Sequence, residues 1–130
     1  HFQPVDGAPD MLRELSRRYY LGIVTTRSHR EAEAFLRQQK LTDVVQVITA
    51  RDDTWRIKPH PSPVRHSAEK LEVPVERCLV VGDSTVDIEA ARAAGAWSVG
   101  VLSGFGSRNQ LERAGANRII EAATDLLDWL

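Results

Sequence analysis

Short β-branched apolar runs alternate along the chain with stretches whose apolar residues recur at helical spacing. That alternation predicts repeated βα units around a mostly parallel sheet. Pro9 stands at a first helical position, and Ala8, Met11, Leu12 and Leu15 follow at the spacing of one helix face. Tyr19 to Thr25 reads as a buried strand, because Leu21-Gly22-Ile23-Val24 shows no polar alternation. Ser28 and Glu31 form a capping box that opens a helix with Ala32, Phe35 and Leu36 on its apolar face. Val44 to Thr49 is the next strand, followed by a polar loop over 50–61 that ends Lys58-Pro59-His60-Pro61. A helix from Ser62-Pro63 then buries Val64, Ala68 and Leu71.

The second half repeats the scheme. Cys78-Leu79-Val80-Val81 is apolar throughout, as a strand at the centre of a sheet should be, and a helix from about Ser84 to Ala94 is stopped by Gly95. A strand over 97–101, a loop bearing Gly104 and Gly106, a helix from Ser107 with Gln110 as its capping partner, and a strand at Arg118-Ile119-Ile120 follow. Residues 123–130 are expected to form a closing amphipathic helix. The segment from His1 to Gly7 runs into the first helix with no strand before it.

Composition narrows the class without changing this picture. Hydrophobic residues make up 42% of the 130 and charged residues 27%, with 17 basic side chains against 18 acidic. These are ordinary globular values. The near-neutral balance argues against a disordered tail and against binding nucleic acid or an anionic membrane through bulk charge. No apolar run approaches the ~20 residues that span a bilayer. The single Cys78 forms no internal disulfide, and no Cys/His group has zinc-site spacing. The expectation is one soluble, cytoplasmic α/β domain over 1–130.

Ligands of open α/β sheets bind at the carboxyl ends of the strands. Those ends carry Thr25-Thr26 and Gly82-Asp83-Ser84-Thr85-Val86-Asp87, and Lys58 adds a cation from a loop between them. Hydroxyls and a lysine can hydrogen-bond and neutralise phosphoryl oxygens, while two carboxylates four residues apart can hold a hard divalent cation. Each residue also has an ordinary structural role. Asp87 can be the acidic member of a capping box with Ser84, Asp83 can help cap the same helix, Thr25 can simply end a strand, and Lys58 can be a solvated loop charge. Lysine is scarce, with only Lys40, Lys58 and Lys70 against fourteen arginines, which gives Lys58 some weight. His29, His60 and His66 read as surface or loop residues. Gly104 and Gly106 complete no dinucleotide fingerprint, and no Walker lysine follows a glycine run.

Taken in order, these segments resemble the haloacid dehalogenase-like hydrolases, and among them the phosphoglycolate-phosphatase-like branch. Leu21 to Arg27 is similar to the family's second motif, Ile57-Lys58-Pro59-His60-Pro61 to its third, and Val80 to Ile88 to its fourth. The flank Ala90-Ala91-Arg92-Ala93-Ala94-Gly95-Ala96, then Gly100-Val101 and Gly104-Phe105-Gly106, is similar as well. The resemblance implies a Rossmann-like three-layer αβα sandwich and a Mg²⁺-dependent phosphatase acting on a small phosphorylated metabolite through an aspartyl phosphate. It implies catalytic roles for Thr25, Lys58 and Asp83, phosphate binding by Thr25, Thr26 and Lys58, and metal binding by Asp83 and Asp87. Gly82-Asp83 with Asp87 favours a phosphatase over a dehalogenase, which needs no metal.

The family's first motif, Asp-x-Asp-x-Thr/Val on an opening strand, does not occur in these residues. Asp52-Asp53-Thr54 lies in the wrong order to supply it. By the resemblance, the first strand, its nucleophilic aspartate and the helical cap lie outside this sequence, and 1–7 is similar to the segment returning from the cap. These 130 residues are therefore expected to be inactive alone. A non-catalytic binding or interaction module is the alternative. A receiver-type signalling domain fails on order, since receivers place the aspartate before the threonine and lysine. The family's first strand would lie between the strand ending at Thr25 and the one ending at Gly82. Its place is expected to be filled by an N-terminal segment or by strand exchange in a homodimer, in preference to direct pairing of the two flanking strands. An unsatisfied buried backbone group costs about 1–3 kcal/mol, so a strand's worth of them is not sustained.

Overall fold

The computed structural model describes residues 8–102 and 106–129. The return segment 1–7 and the Gly104-Phe105 part of the glycine loop lie outside the described residues. The first helix is α1 (Ala8–Ser16), followed by strand β1 (Gly22–Val24), helix α2 (His29–Gln38) and strand β2 (Val47–Thr49). Helix α3 (Ser62–Leu71) leads to the second strand group: β3 (Leu79–Gly82), α4 (Thr85–Ala94), β4 (Trp97–Val101), α5 (Arg108–Ala114) and β5 (Arg118–Ile120). A 3₁₀ turn at Ala123–Asp125 and a one-turn helix α6 (Leu126–Trp129) follow. All strand pairs are parallel, in the orders β1-β2 and β3-β4-β5.

The helices cover both faces, giving the expected three-layer α/β arrangement. Helix α3 packs across β1 and β2, α4 packs on β3 and β4, and α3 and α4 touch each other. On the opposite face, Met11 and Leu15 of α1 meet Leu126, together with Leu21 beside β1 and Leu79 of β3. Leu12 also joins Leu36, Leu41 and Val44, which cover Ile23 and Ile48. One helix thus rests on both strand groups, so β1 and β3 share one face under α1. The two groups grow away from each other, so the chain reverses winding between β1 and β3, where open α/β sheets form their ligand crevice.

Among the described residues, β1 and β3 are not hydrogen-bonded to each other, so the direct pairing judged less favourable is not formed. The expected helix starts hold. Ser28 Oγ accepts from the Glu31 N–H at 3.2 Å, and Ser107 Oγ accepts from the Gln110 N–H at 3.2 Å. Gly95 adopts φ +89°, the left-handed conformation that ends α4 without strain on a side chain.

Several expectations are corrected. The strand expected over Tyr19–Thr25 is reduced to Gly22–Val24, because Tyr19 N–H is drawn back to Leu15 O at 2.9 Å and both tyrosines are exposed. The strand expected over Val44–Thr49 is Val47–Thr49, because Val44 N–H bonds Leu41 O in a turn that buries Val44 against α2. The polar loop contains a 3₁₀ turn at Arg51–Asp53. Helix α4, by contrast, starts as expected near Ser84, with Ser84 as its cap residue and Thr85 its first helical one. The closing helix is broken into the turn and α6, with Asp125 Oδ2 accepting the Ala122 N–H at 3.2 Å. No helix among the described residues is long and apolar enough to cross a membrane.

Candidate active site

Thr25 leaves β1 with its N–H on Thr49 O at 2.9 Å, still held by the neighbouring strand. Its Oγ1 accepts the Arg27 N–H at 3.1 Å, which turns the chain sharply before the Ser28 cap of α2. That turn puts Thr25 and Thr26 at the lip of a small recess. Lys58, Arg51, Thr54, Ile57, Val24, Ala50 and Pro63 also line it, and they close on it so tightly that it has no room for a water molecule as it stands. The recess therefore gathers hydroxyls and two cationic side chains, a donor set suited to phosphoryl oxygens.

Lys58 is the centre of the arrangement. Its Nζ reaches Val24 O at 3.4 Å and pairs with Asp87 Oδ1. The two side chains are only 14% and 13% exposed, so this ion pair is largely shielded from water. Asp87 Oδ2 accepts from Ser84 Oγ at 3.0 Å and from Ser84 N–H at 3.3 Å. Asp87 thus caps α4 and anchors Lys58 with the same carboxylate. Gly82 makes room for it, since a Cβ there would stand 2.7 Å from Asp87 Cγ. The pair also links the end of β1 to the start of α4, across the line between the two strand groups.

Asp83 follows Gly82 at the end of β3, and its carbonyl accepts the Gly106 N–H at 2.8 Å. A Cβ on Gly106 would stand 2.9 Å from that carbonyl oxygen, so the residue beyond the loop must be glycine for this close approach. The structure thus brings Thr25, Thr26 and Lys58 into one recess, joins Asp87 to Lys58, and sets Asp83 at the end of the adjoining strand group.

A divalent cation fits this donor set only in part. Among the described residues, no three His, Cys, Asp or Glu side chains converge to hold a metal. Both Asp87 oxygens are engaged, which leaves Asp83 as the carboxylate available to a metal. Mg²⁺ commonly takes one or two carboxylates and completes its shell with phosphate and water.

No local pattern in the sequence marks Arg51, Thr54 or the Arg51–Asp53 turn as parts of a site, and Asp52-Asp53-Thr54 reads there only as an acidic segment in the wrong order for the first motif. In the structure Asp53 Oδ2 accepts the Ala50 N–H at 2.7 Å and lies 2.9 Å from His29 Nδ1. Burial pushes the Asp53 carboxyl up, yet the Ala50 N–H and His29 together hold it below its ordinary value.

Comparison with known proteins agrees with the geometry. Residues 1–101 match the family described as haloacid dehalogenase-like hydrolase. The chain belongs to the haloacid dehalogenase-like hydrolases. It is 34% identical over 122 residues to the pyrophosphatase PpaX of Bacillus cereus (strain B4264), covering 93% of this chain and 56% of that protein. It is 40% identical over 98 residues to a phosphoglycolate phosphatase of Neisseria meningitidis, covering 75% of this chain and 42% of that protein. A hydrolase from Pseudomonas syringae superposes with a TM-score of 0.86 at 36% identity, over 96% of this chain and 60% of that one. CbbY from Rhodobacter sphaeroides, solved in complex with phosphate, superposes with a TM-score of 0.80 at 31% identity, over 93% of this chain and 55% of that one. The chain spans about half the length of the curated relatives it matches.

Proposed function

We propose that these residues form the phosphate-binding and metal-binding portion of a Mg²⁺-dependent phosphatase acting on a small organic phosphate. The observation that carries this reading is Lys58, held between Val24 O and Asp87 at the recess formed by Thr25 and Thr26. Relatives named as a pyrophosphatase and a phosphoglycolate phosphatase support it.

In this reading the Thr25 and Thr26 hydroxyls donate to phosphoryl oxygens, and the Lys58 ammonium offsets their charge as it builds in the transition state. Asp87 keeps the ammonium aimed at the recess. Asp83, with Asp87 beside it, is the ligand for Mg²⁺, which when bound neutralises phosphoryl charge. The nucleophilic aspartate comes from a strand entering between β1 and β3, supplied by an N-terminal segment or by a second copy. Among the described residues β1 and β3 each have a strand on one side only, which supports that placement. Its carboxylate displaces the alcohol, which departs with a proton from a second acid on the same strand. Water then attacks phosphorus, releasing orthophosphate and restoring the carboxylate. We further propose a cytoplasmic setting, in keeping with the free thiol of Cys78.

The test is hydrolysis of a generic phosphate monoester by the full-length protein with Mg²⁺, compared with its Asp83→Asn variant and with residues 1–130 alone. The full-length protein is expected to turn over, Asp83→Asn to lose on the order of 10³-fold or more, and residues 1–130 to be inactive. Turnover by residues 1–130 that survives Asp83→Asn would contradict the assignment. Absence of turnover in the full-length protein would favour a non-catalytic module.

A further inference from the structure

His29 opens α2 three residues after Thr26, and the Arg51–Asp53 turn leads from β2 toward Lys58. These segments are fastened to each other by contacts that converge on the histidine. Its main-chain N–H donates to Asp52 Oδ1 at 3.0 Å. Its Nδ1 lies 2.9 Å from Asp53 Oδ2, the oxygen that also accepts the Ala50 N–H. Its Nε2 lies 3.0 Å from Glu33 Oε1, one turn along α2. Nearby, the Arg51 N–H donates to Arg27 O at 2.9 Å, adding a main-chain link between the same two segments.

A neutral imidazole has one N–H, and so satisfies only one of two carboxylates facing its two nitrogens. Its other nitrogen would turn a lone pair toward an anion. Only the imidazolium donates to Asp53 and Glu33 together. The hydrogen bond to Asp53 accordingly raises the His29 pKa above its ordinary 6.5, against the opposing effect of burial, and Asp53, Glu33 and Asp52 add attraction. From α3, His66 acts on Asp53 and has its own Nδ1 3.1 Å from Thr49 Oγ1. His29, Glu33, Asp53 and His66 line a groove together with Arg37 of α2 and Lys70 of α3, and Arg27 pairs with Glu31. These cations act in the opposite sense to the carboxylates on the imidazolium.

We propose that His29 is a positioning residue for the phosphate site. As imidazolium it clasps the turn bearing Thr25 and Thr26 to the segment that delivers Lys58, and thereby sets the spacing of the phosphoryl-binding groups. The inference rests on the phosphate-binding reading above and adds a regulation to it. Because the folded-state value is raised, the charge-assisted part of the clasp is complete below the unfolded value near 6.5 and is lost as pH rises through the folded value, leaving a neutral ring that satisfies one carboxylate only and the main-chain links. Substrate binding should weaken over the same interval.

The experiment uses the full-length protein and follows the His29 ring signals and the Thr25, Thr26 and Lys58 amide signals by NMR from about pH 5 to 9. The KM for a generic phosphate monoester is measured alongside. The amide signals are expected to move with the His29 midpoint, and KM to rise about three- to tenfold above it while kcat changes little. Glu33→Gln, an exposed change on α2, is expected to lower the midpoint of ring, amides and KM together. His29→Asn keeps a donor toward Asp53 without titrating in this range, and is expected to give a flat KM profile. Amide signals that ignore the His29 titration, or a KM profile that Glu33→Gln leaves in place, would overturn the proposal. If the protein shows no turnover, the phosphatase reading fails, while the coincidence of ring and amide midpoints still decides the clasp.

Discussion

The two strand groups reach order by different means. In the β3-β4-β5 group, β4 has a partner on each side and lies deep in the molecule, with Val99 fully buried. Helix α4, whose Ile88, Ala90 and Ala91 are fully buried, packs on it, and Leu111 fits where a Cβ on Gly100 would stand 3.0 Å from its Cδ1. In the β1-β2 group both strands are three residues long and mostly half buried, with Thr49 fully buried. Polar side chains do much of the fastening there. Gln46 Oε1 accepts the Leu21 N–H at 2.6 Å, His29 binds Asp53, and Thr49 meets His66. The group that offers Thr25, Thr26 and Lys58 is therefore fastened by polar side chains beside its apolar cluster, and the group that offers Asp83 is held chiefly by packing around β4. Lys58 and Asp87 join the two.

Breaking that joint should have the largest effect. Lys58→Met leaves Asp87 shielded without its cation and is expected to destabilise the protein by about 3–5 kcal/mol in denaturant unfolding. Adding Asp87→Leu to it should recover much of the loss, because two apolar side chains then replace the pair. Recovery of stability without recovery of activity would show that the pair serves function more than folding. Next in size, Leu111→Ala should cost about 2–4 kcal/mol through the cavity left against Gly100, with little dependence on salt or pH. Gln46→Ala should cost only about 0.5–1.5 kcal/mol, as the Leu21 N–H is exposed enough to find water. Should Gln46→Ala prove as costly as Leu111→Ala, the contrast between the two groups would fail.

The same contrast explains what the sequence could disclose. Helix starts and stops were legible because Ser28 with Glu31, Ser107 with Gln110, and Gly95 act within a few residues of themselves. The apolar run Leu79-Val80-Val81 marked a strand for the same reason but misplaced it: among the described residues β3 is an edge strand of the β3-β4-β5 group, not its centre, and it is half buried with Val81 exposed. The extents of β1 and β2 were not legible, because Leu15 and Leu41 capture the neighbouring main chain into turns that composition does not report. Within the site, the spacing of Ser84 and Asp87 allowed both a cap and a functional carboxylate. The structure shows the cap and an ion pair with Lys58 on one side chain. The clasp of His29 to Asp52 and Asp53 spans more than twenty residues, so no local pattern could reveal it. In the sequence those aspartates stood out only as an acidic pair in the wrong place for a nucleophile.

The central claim is that the recess between Thr25, Thr26 and Lys58 receives a phosphoryl group. Titration of orthophosphate into the full-length protein with Mg²⁺, followed through the main-chain amide signals, tests it most directly. The account predicts that Thr25, Thr26 and Lys58 respond together and that Lys58→Met, in the Asp87→Leu background that restores its fold, abolishes the response. A response confined to the groove beside Arg37 and Lys70, or one untouched by the loss of Lys58, would contradict it.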